Sequence, residues 1–291
     1  MLRFSGLPLL IRETLQRRVV TVVLFHDPDR RAFARQVAAL KRRYTVVSLQ
    51  SYLKSRAGDG SGRMPAKSLI ITLDDGHRGN AALLETVRAE GVPVTIFLCS
   101  GIVGTRRRFW FEHELSNGDV PALKLVPDDA RLAALAAHGF SDEAEFEPRQ
   151  ALSLEEFEQL RPYIDFQAHT VTHPILPNCS DAKAAAEIAN SKIELEALGL
   201  EVTTLSYPNG DYTSRELAAL EAAGYTCGIT VDAGYNTQRT DLRRLKRIGV
   251  SDDATATELI VKASGLVDLA KVSIDAVRGV GRRRRAKEGL E

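Results

Sequence analysis

Histidine and aspartate residues occur in two short patterns that suit metal-assisted hydrolysis. In AHTVTHP, residues 168–174, His169 and His173 are four apart, so a single helical turn would bring both imidazoles to one face. Two histidines need a third ligand, and a carboxylate from another strand would complete a site with open positions for water and substrate. The spacing alone also fits surface or capping histidines, so a metal site is indicated only if a carboxylate partner is present.

The carboxylates Asp74 and Asp75 end a run of apolar and β-favouring residues in SLIITLDDG, residues 68–76. Neighbouring side chains of an extended chain point in opposite directions, so one carboxylate can bind a metal while the other takes a proton from water. Asp-Gly is also a common turn dipeptide, which would explain Asp75 without any chemistry. The turn leaves Asp74 unexplained, and both aspartates together with both histidines favour a metal site.

Short apolar runs rich in β-branched residues alternate along the chain with stretches of helical periodicity. Strands that alternate with helices imply a largely parallel sheet, and the number of units predicts an α/β fold, a closed or nearly closed barrel of about seven strands. The predicted strands are 19–26, 44–49, 68–75, 93–99, 165–170, 203–208, 226–231 and 245–250. The predicted helices are 32–43, 80–91, 129–138, 153–160, 181–200 and 214–224.

The candidate functional residues all follow predicted strands. His26 ends the first strand, Asp74 and Asp75 the third, His169 and His173 follow the fifth, and Asn209 follows the sixth. In a parallel barrel the carboxyl ends of the strands share one rim, where enzymes of this architecture place their sites. The sequence therefore predicts a single site at that rim.

Composition excludes several classes of protein. The 291 residues, 44% hydrophobic and 26% charged, are typical of a globular protein with one large domain. A net charge of +1 predicts no nucleic-acid partner, although Lys and Arg outnumber Asp and Glu by 14 to 4 in residues 1–67 and are outnumbered by 13 to 4 in residues 111–165. Three cysteines without paired spacing, and an N-terminal apolar run shorter than a signal peptide core, predict a reduced, cytoplasmic protein.

Two segments depart from the alternation of strands and helices. Residues 100–152 are predicted to be an insertion into a domain of residues 1–265. Residues 266–280 have apolar residues at helical intervals, and the basic run RRRRAK follows at 282–287, so 266–291 are predicted to form an amphipathic helix with a basic tail. This segment either packs on the barrel with a frayed end or attaches to an anionic membrane surface, such as the inner face of the membrane.

Three ordered motifs resemble those of the polysaccharide deacetylases with a NodB-like domain. They are TLDDG (72–76), HTVTH (169–173) and SYPNGDY (206–212), where the family usually has T-F-D-D-G, H-[ST]-x-x-H and a P-Y or Y-P-x-G segment. The resemblance covers about residues 19–251. It implies a NodB-like, distorted (β/α) barrel and a metal-dependent hydrolase that removes acetyl groups from an N-acetylated sugar.

Motif position implies roles for individual residues. Asp74 resembles the family's catalytic base, and Asp75, His169 and His173 resemble its metal ligands. Zinc is the leading ion, while cobalt, nickel or iron(II) also suit two histidines and one carboxylate. The backbone N–H of Asn209 is placed like the family's oxyanion donor, although a simple turn would equally explain the following glycine.

The sequence departs from the family pattern in two places. Many members have an arginine two residues before the motif's proline, where this chain has Ser206, so another cation is needed to orient the base, and Lys246 or Arg247 are the candidates. Many also end with L-x-x-H, whose histidine protonates the leaving amine, but residues 243–250 contain no histidine. The first strand of a closed barrel neighbours the last, so His26 is our candidate acid, with a strand-end histidine bonded to a loop as the alternative.

The resemblance also suggests residues that contact substrate. They are Tyr207 and Pro208 beside the oxyanion donor, His77 as a contact at the rim, and Trp110, which would either stack on a sugar or anchor the insertion.

The implied substrate is an acetylamino sugar in a surface polysaccharide or in a free or lipid-linked precursor of one. One alternative is hydrolysis of another non-peptide C–N bond, such as a formyl or cyclic amide, on the same site. A second is a carbohydrate-binding relative that has lost catalysis, which Ser206 and the missing histidine suggest.

Overall fold

Parallel strands and helices alternate through residues 6–57, 63–113 and 120–267, the parts of the chain described by a computed structural model. The strands are β1 (Thr21–Phe25), β2 (Thr45–Val46), β3 (Ser68–Leu73), β4 (Val94–Leu98), β5 (Asp165–Ala168), β6 (Thr204–Ser206), β7 (Cys227–Ile229) and β8 (Ile248–Gly249). The α-helices are α1 (Leu7–Thr14), α2 (Arg30–Lys41), α3 (Leu49–Ala57), α4 (Leu84–Glu90), α5 (Val120–Leu123), α6 (Asp128–Ala136), α7 (Leu154–Leu160), α8 (Asp181–Ala197), α9 (Ser214–Ala222) and α10 (Ala256–Ala263).

The strands form one sheet in which every strand pair is parallel, in the order β7-β6-β5-β4-β3-β1-β8, with the short β2 also paired to β3. Seven strands therefore lie along the curled sheet, and helices surround it. This confirms the predicted α/β class and the distorted barrel of about seven strands.

The sheet curls until its two ends meet. At one end β1 pairs with β8, with Val23 opposite Ile248. At the other, Leu245, which leads into β8, bridges Ile229 of β7. The first strand therefore neighbours the last, as the sequence predicted.

Alternation along the strands separates two layers of the core. Val23 and Ile71 belong to the large apolar cluster that lies between the sheet and the helices. Val22, Ile70 and Phe97 belong to a second, smaller cluster on the other face of the sheet. Because side chains alternate with a period of two, each strand presents one set of residues to the helices and the other to the barrel interior.

Local capping explains where several helices begin and end. Ser153 and Glu156 form the predicted capping box of α7, and Ser180 accepts a hydrogen bond from the Lys183 N–H at the start of α8. Gly91 ends α4 in the left-handed conformation, with φ of 59°. These polar groups satisfy backbone atoms that a helix end leaves without intrahelical partners.

The structure differs from the sequence prediction between residues 44 and 57. The strand predicted over 44–49 is only two residues long, and Leu49 instead begins α3. Ser48 Oγ accepts a hydrogen bond from the Ser51 N–H at the start of that helix. The β-branched Val46 and Val47 favour a strand, but the Ser48 side chain caps a helix that begins at the next residue.

The insertion has a small core of its own. Trp110, Leu135 and Phe140 pack with Ile175, which lies beyond the insertion in the loop after β5. Helix α6 matches the helix predicted near 129–138. The insertion is therefore fixed against the loop that carries the histidine motif.

The predicted C-terminal helix and basic tail lie outside the described residues, apart from positions 266 and 267. In the part of the chain that is described, none of the helices is long and apolar enough to cross a membrane. The three cysteines are free and buried.

Candidate functional site

The polar residues that follow the strands gather around one cavity at the carboxyl ends of the strands. The cavity has a volume of about 240 Å³ and is lined by His26, Asp74, Asp75, Phe111, Lys124, His169, His173, Asn209 and Val231. Every strand-end residue that the sequence singled out as the base, the acid, the oxyanion donor or a metal ligand therefore lines the same space.

Asp74 projects into the barrel interior because it continues the inward alternation of Ile70 and Thr72 along β3 and beyond its end. Its two carboxylate oxygens accept hydrogen bonds from the Arg247 guanidinium, both at 2.7 Å. Ser206 Oγ donates to Asp74 Oδ2 at 3.2 Å and accepts from Arg247 Nη2 at 2.9 Å. The cation beside Asp74 is therefore Arg247, one of the two residues considered for that place.

The Asp74–Arg247 pair is almost completely buried, with side-chain exposures of 5% and 0%. Burial by itself raises the pKa of a carboxyl group, but the adjacent Arg247 charge, with His169, holds the pKa of Asp74 below its usual value. Arg247 is itself anchored, since its Nε donates to the Thr230 carbonyl and its guanidinium lies 5.8 Å from the centre of the Phe97 ring. Asp74 is therefore held as an oriented carboxylate.

Asp75 points away from Asp74 and toward the histidines. Its Oδ1 lies 3.3 Å from His169 Nε2 and 3.4 Å from His173 Nε2, and all three residues are buried. Asp75 Oδ1 has no hydrogen-bond partner in the described part of the chain. The two carboxylates thus have different partners, but the left-handed backbone of Asp75, with φ of 74°, shows that a simple extended chain is not the cause.

The donor set of Asp75, His169 and His173 fits a metal ion. One ligand atom from each residue lies within 4.8 Å of the others. A buried carboxylate oxygen that faces two imidazole nitrogens without bonding to either is the arrangement expected where a cation joins them. These residues could therefore hold a divalent ion, with its remaining positions open toward the cavity.

The surroundings of each histidine decide which ring nitrogen can bind a metal and whether the ring is neutral. His169 Nδ1 lies 2.8 Å from the Ser206 carbonyl, which only accepts, so Nδ1 carries a proton and Nε2 is the nitrogen that faces Asp75. Burial lowers the pKa of His169, but the charges of Asp74 and Asp75 outweigh burial and raise it, so a metal ion that binds Nε2 takes the place of a proton there. Burial, which outweighs the nearby Asp75 charge, lowers the pKa of His173 to about 3, so this imidazole is neutral at neutral pH. Neutral imidazole is the form that binds a metal.

The helical turn predicted for the histidine motif is wrong. The described segment between His169 and His173 is a bent loop, and Thr170 and His173 have φ of 65° and 59°. Glu187 of α8 holds this loop, because its carboxylate accepts from the N–H groups of Val171 and Thr172 and from the Thr172 hydroxyl. The imidazoles converge through this loop, with ring centres 4.8 Å apart.

Backbone strain is concentrated at this rim. In the described chain five residues other than glycine have positive φ, and Asp75, Thr170, His173 and Asn209 are four of them. Such conformations are unfavourable for L-residues and persist where surrounding contacts enforce them, often at functional sites.

His77, predicted as a contact at the rim, does not line the cavity. Its side chain is buried and lies outside the set of residues that line the cavity. His77 Nε2 lies 3.1 Å from Asp75 Oδ2, and Nδ1 lies 3.4 Å from a Glu112 oxygen. Burial opposes the protonation of His77, but the hydrogen bond and charge of Asp75, with Glu112, raise its pKa to about 9. His77 is therefore placed to hold the Asp75 carboxylate from outside the cavity.

Trp110 and Tyr207 are also too deep to contact a sugar with their rings. Trp110 is fully buried, its Nε1 donates to the His173 carbonyl at 2.7 Å, and the Arg131 guanidinium covers its ring. Of the two roles considered for Trp110, the structure supports the anchor. Tyr207 is fully buried with its hydroxyl bonded to the Arg243 carbonyl, and Pro208 beside it is buried as well. Both belong to the support beneath Asn209 and not to the cavity wall.

Asn209 and His26 lie at the mouth of the cavity. Asn209 is exposed with φ of 56°, and its side-chain oxygen accepts a hydrogen bond from Lys124 at 3.1 Å. The backbone N–H of His26 donates to Asp252 Oδ1, and its carbonyl accepts from Asn80, while the residue as a whole is exposed. The main chain of His26 is thus fixed at an open part of the cavity that also contains Asp74.

Two contributors to the site, Lys124 and Glu187, escaped the sequence reasoning. Lys124, from the insertion, lines the cavity, as does Phe111, which packs edge-on against His173 at 4.7 Å between ring centres. Glu187 fixes the histidine loop from 14 residues beyond His173. A lysine in an insertion and a glutamate in a helix carry no pattern that would mark them.

The family model described as polysaccharide deacetylase matches residues 61–228, more than half of the chain. YxkH of Bacillus subtilis (strain 168), named as a polysaccharide deacetylase, is 25% identical over 187 residues, which are 64% of this chain and 52% of YxkH. This chain therefore spans about half the length of that curated relative.

Solved structures share the fold. The Streptococcus pyogenes deacetylase PplD, in complex with acetate, has a TM-score of 0.62 at 16% identity, over 84% of this chain and 98% of PplD. IcaB from Ammonifex degensii has a TM-score of 0.62 at 19% identity, over 86% and 98% of the two chains. At these identities the likeness establishes the architecture, and the match of the family model carries the assignment. The chain belongs to the polysaccharide deacetylase family.

Proposed function

We propose that this chain is a metal-dependent hydrolase that removes N-acetyl groups from an acetylamino sugar in a surface polysaccharide or its precursor. One observation carries the proposal: the two adjacent carboxylates have separate partners within one cavity. Asp74 is bonded to Arg247 and Ser206, whereas Asp75 faces His169 and His173. Amide hydrolysis needs these two functions, a proton acceptor and a metal ligand, close together.

Asp75, His169 and His173 would hold the ion. When bound there, a divalent ion, with zinc as the leading candidate, supplies Lewis acidity toward the amide carbonyl and toward water. Cobalt, nickel and iron(II) accept the same ligands. His77 and the Ser206 carbonyl keep Asp75 and His169 in orientation, which supports binding of the ion from a second layer of contacts.

Asp74 accepts the proton of the attacking water. Its Oδ2 lies 3.7 Å from His169 Nε2, so it borders the space that the ion would occupy. Arg247 keeps it charged and fixes both its oxygens, which leaves the carboxylate with little freedom to turn away. Because Arg247 supplies the cation that Ser206 lacks, one of the two reasons for suspecting a catalytically impaired relative no longer applies.

Asn209 and His26 would act on the amide itself, Asn209 on its carbonyl oxygen and His26 on its nitrogen. The backbone N–H of Asn209 donates to the oxyanion that forms as water adds, a contact typically worth about 2.7 to 4 kcal/mol. His26, which lines the same cavity, donates a proton to the leaving amine. Lys124 lies beside Asn209, where its ammonium can meet a substrate oxygen.

The test is release of acetate by the purified chain from N-acetylhexosamine oligomers and from lipid-linked acetylamino sugars, with and without added zinc. Asp74→Asn should lower kcat/KM by about 10² to 10⁴ and leave zinc affinity intact, because the ligands are unchanged. Asp129→Asn, an exposed aspartate of α6, is the matched control and should keep full activity. Absence of acetate from every substrate, or an active Asp74→Asn, would overturn the proposal.

His26→Gln tests the acid separately. We expect kcat/KM to fall by about 10² or more while zinc affinity is unchanged, since His26 is outside the ligand set. Formamides and cyclic amides in the same assay distinguish the N-acetyl substrate from other C–N bonds. Turnover of those compounds in preference to N-acetyl sugars would replace the substrate class while keeping the site.

A further inference from the structure

Near the amino ends of the strands, exposed apolar and basic side chains form a second surface. Its residues are Leu9, Leu10, Leu15, Arg17, Arg18 and Arg63. We call it the amino-end surface. Of the nine large hydrophobic side chains that are exposed in the described chain, four lie between residues 7 and 15. Leu9, Leu10 and Leu15 are each more than half exposed. Single exposed apolar residues are ordinary, but a group of them on one short segment indicates an interaction site.

The segment is fixed to the barrel, so its exposed leucines are not those of a loose terminus. Pro8 and Ile11 of α1 are buried, which leaves Leu9 and Leu10 on the outward side of the helix. Gln16, in the turn after α1, is fully buried and donates to Thr21 Oγ1 and to the Ala263 carbonyl. Thr21 is the first residue of β1, so the surface lies at the end of the barrel opposite the cavity.

Arginines lie next to these leucines. Arg17 and Arg18 follow Leu15 directly, and with Arg63 they line a cavity of about 330 Å³ beside Tyr52. Within the described residues none of the three arginines forms an ion pair or a side-chain hydrogen bond. The amino-end surface thus combines apolar side chains with unneutralised positive charge.

We propose that the amino-end surface docks this protein on an anionic phospholipid membrane surface, with the catalytic cavity facing away from the bilayer. Leucines that enter the boundary of the acyl chains and arginines that meet lipid phosphates are the two attractions that hold an interfacial helix.

The charge of the rest of the chain favours this occupant. Residues 1–67 contain 14 Lys and Arg against 4 Asp and Glu, and the amino-end surface takes Arg17, Arg18 and Arg63 from this basic part of the chain. An anionic surface attracts these three arginines. The C-terminal sequence with Arg282 to Arg285 continues from α10, whose Ala263 is bonded to Gln16 beside the surface. A second copy packed on the same patch would bring two sets of arginines together.

The orientation has a consequence for the substrate. A cavity at the far end of the barrel suits a polymer that extends away from the membrane better than a sugar held at the lipid headgroups. The docking surface itself does not depend on the proposed deacetylase activity, since no residue of the cavity takes part in it.

The experiment is co-sedimentation of the purified full chain with vesicles of equimolar phosphatidylglycerol and phosphatidylcholine, and with vesicles of phosphatidylcholine alone. We expect binding to the anionic vesicles that weakens with added salt. The double variant Arg17→Gln, Arg18→Gln should bind about thirtyfold less tightly, and Leu10→Gln about tenfold less. Both changes are at exposed positions, and thermal unfolding verifies that the variants stay folded.

Matched controls separate the surface from general charge and hydrophobicity. Ile193→Gln removes an equally exposed apolar side chain from α8, and Arg31→Gln, Arg35→Gln removes the same charge from α2, so both should bind like the parent. Equal binding to neutral vesicles, no binding, or binding that the leucine and arginine changes do not alter overturns the proposal. So does displacement by inorganic phosphate beyond that by sodium chloride of equal ionic strength, which indicates a small-anion site, or a change in self-association instead of lipid binding.

Discussion

Charged side chains are buried at one end of the barrel and exposed at the other. At the carboxyl ends of the strands, Asp74, Asp75, Arg247 and both histidines of the motif are buried and packed against one another. At the amino ends, Arg17, Arg18 and Arg63 lie at the surface, without acidic partners in the described chain, on the same surface as exposed leucines. The first end also contains four of the five positive-φ residues other than glycine, counted over the described residues.

The difference separates two requirements of function. Chemistry needs side chains that do not move, and burial among mutually bonded partners provides this at the expense of stability. Docking on a fluid surface needs exposed groups that rearrange. Substitutions at the carboxyl end should therefore have large effects on stability, metal binding and activity, whereas substitutions at the amino end should have small effects on stability.

The largest expected effect is at the buried ion pair. Arg247→Met leaves Asp74 buried without its cation and should lower the free energy of unfolding by about 3–5 kcal/mol, measured by urea unfolding. The same change at the other end, Arg17→Met, should alter it by less than about 0.5 kcal/mol, because that side chain is exposed. Equal effects at both positions would remove the contrast.

Replacing both members of the pair separates the effect on stability from the effect on activity. Asp74→Leu with Arg247→Met removes both charges together and should recover most of the lost stability. It should not recover activity, because the proposed proton acceptor is gone. Recovery of acetate release in this double variant would show that Asp74 is not the base.

The next effect concerns the ligands. His169→Ala should weaken zinc binding by more than about 100-fold, since loss of a direct ligand exceeds the 10- to 100-fold loss typical of residues that only orient one. Isothermal titration with zinc measures this loss. The control is His138→Ala, an exposed histidine of the insertion, which should bind zinc like the parent. Equal zinc affinity of His169→Ala and the parent would exclude His169 as a ligand.

A smaller effect is expected where the loop of His173 is held. Glu187→Gln weakens an acceptor of three hydrogen bonds and should reduce zinc affinity about tenfold through misplacement of His173. Glu196→Gln, on the same helix with a partly exposed partner, Lys192, should leave zinc affinity unchanged. If Glu187→Gln binds zinc like the parent, the loop does not depend on this carboxylate.

The smallest expected effect is on the stability that Asp128 contributes within the insertion, and it depends on pH. Burial raises the pKa of Asp128, but the hydrogen bond from Lys183 and the charge of Arg131 hold it below its usual value. A carboxyl group with a lowered folded pKa stabilises the protein above its unfolded pKa, near 3.9, and this stability is lost as pH falls through the folded pKa. Asp128→Asn should therefore destabilise by about 1 kcal/mol at neutral pH and by less below about pH 4.

Urea unfolding at several pH values measures this prediction. Asp129→Asn, the exposed neighbour on α6, provides the control and should show no such dependence. A destabilisation by Asp128→Asn that stays constant into the acid range would mean that the Asp128 charge does not stabilise the insertion.

Much of the carboxyl end follows from the sequence. The strand before Asp74 is a continuous run of apolar and β-favouring residues, which is typical of a buried strand in a parallel sheet, and parallel strands place their carboxyl ends at one rim. The neighbouring position of β1 and β8 likewise follows from closing the sheet, which brings His26 into the cavity. Local pattern and topology thus suffice to bring these residues together.

The partners that hold the site in place do not follow from the sequence. Arg247 contacts Asp74 across the barrel from 173 positions away. From the sequence, Lys246 was an equal candidate for the cation that orients Asp74. The loop from His169 to His173 has helical spacing, but Glu187 enforces a different conformation. Aromatic side chains such as Trp110 suit both a sugar and a core, and only the packing of the insertion distinguishes them. These are tertiary contacts that no local pattern records.

The central claim is that Asp75, His169 and His173 bind one metal ion beside Asp74. A crystal structure of the zinc-loaded protein, with anomalous scattering to locate the ion, tests it most directly. We predict one zinc per chain, about 2.0 to 2.2 Å from Asp75 Oδ1 and from Nε2 of both histidines, with Asp74 still bonded to Arg247. Zinc bound at another place, or ligated by Asp74 with Arg247 displaced, would contradict this account.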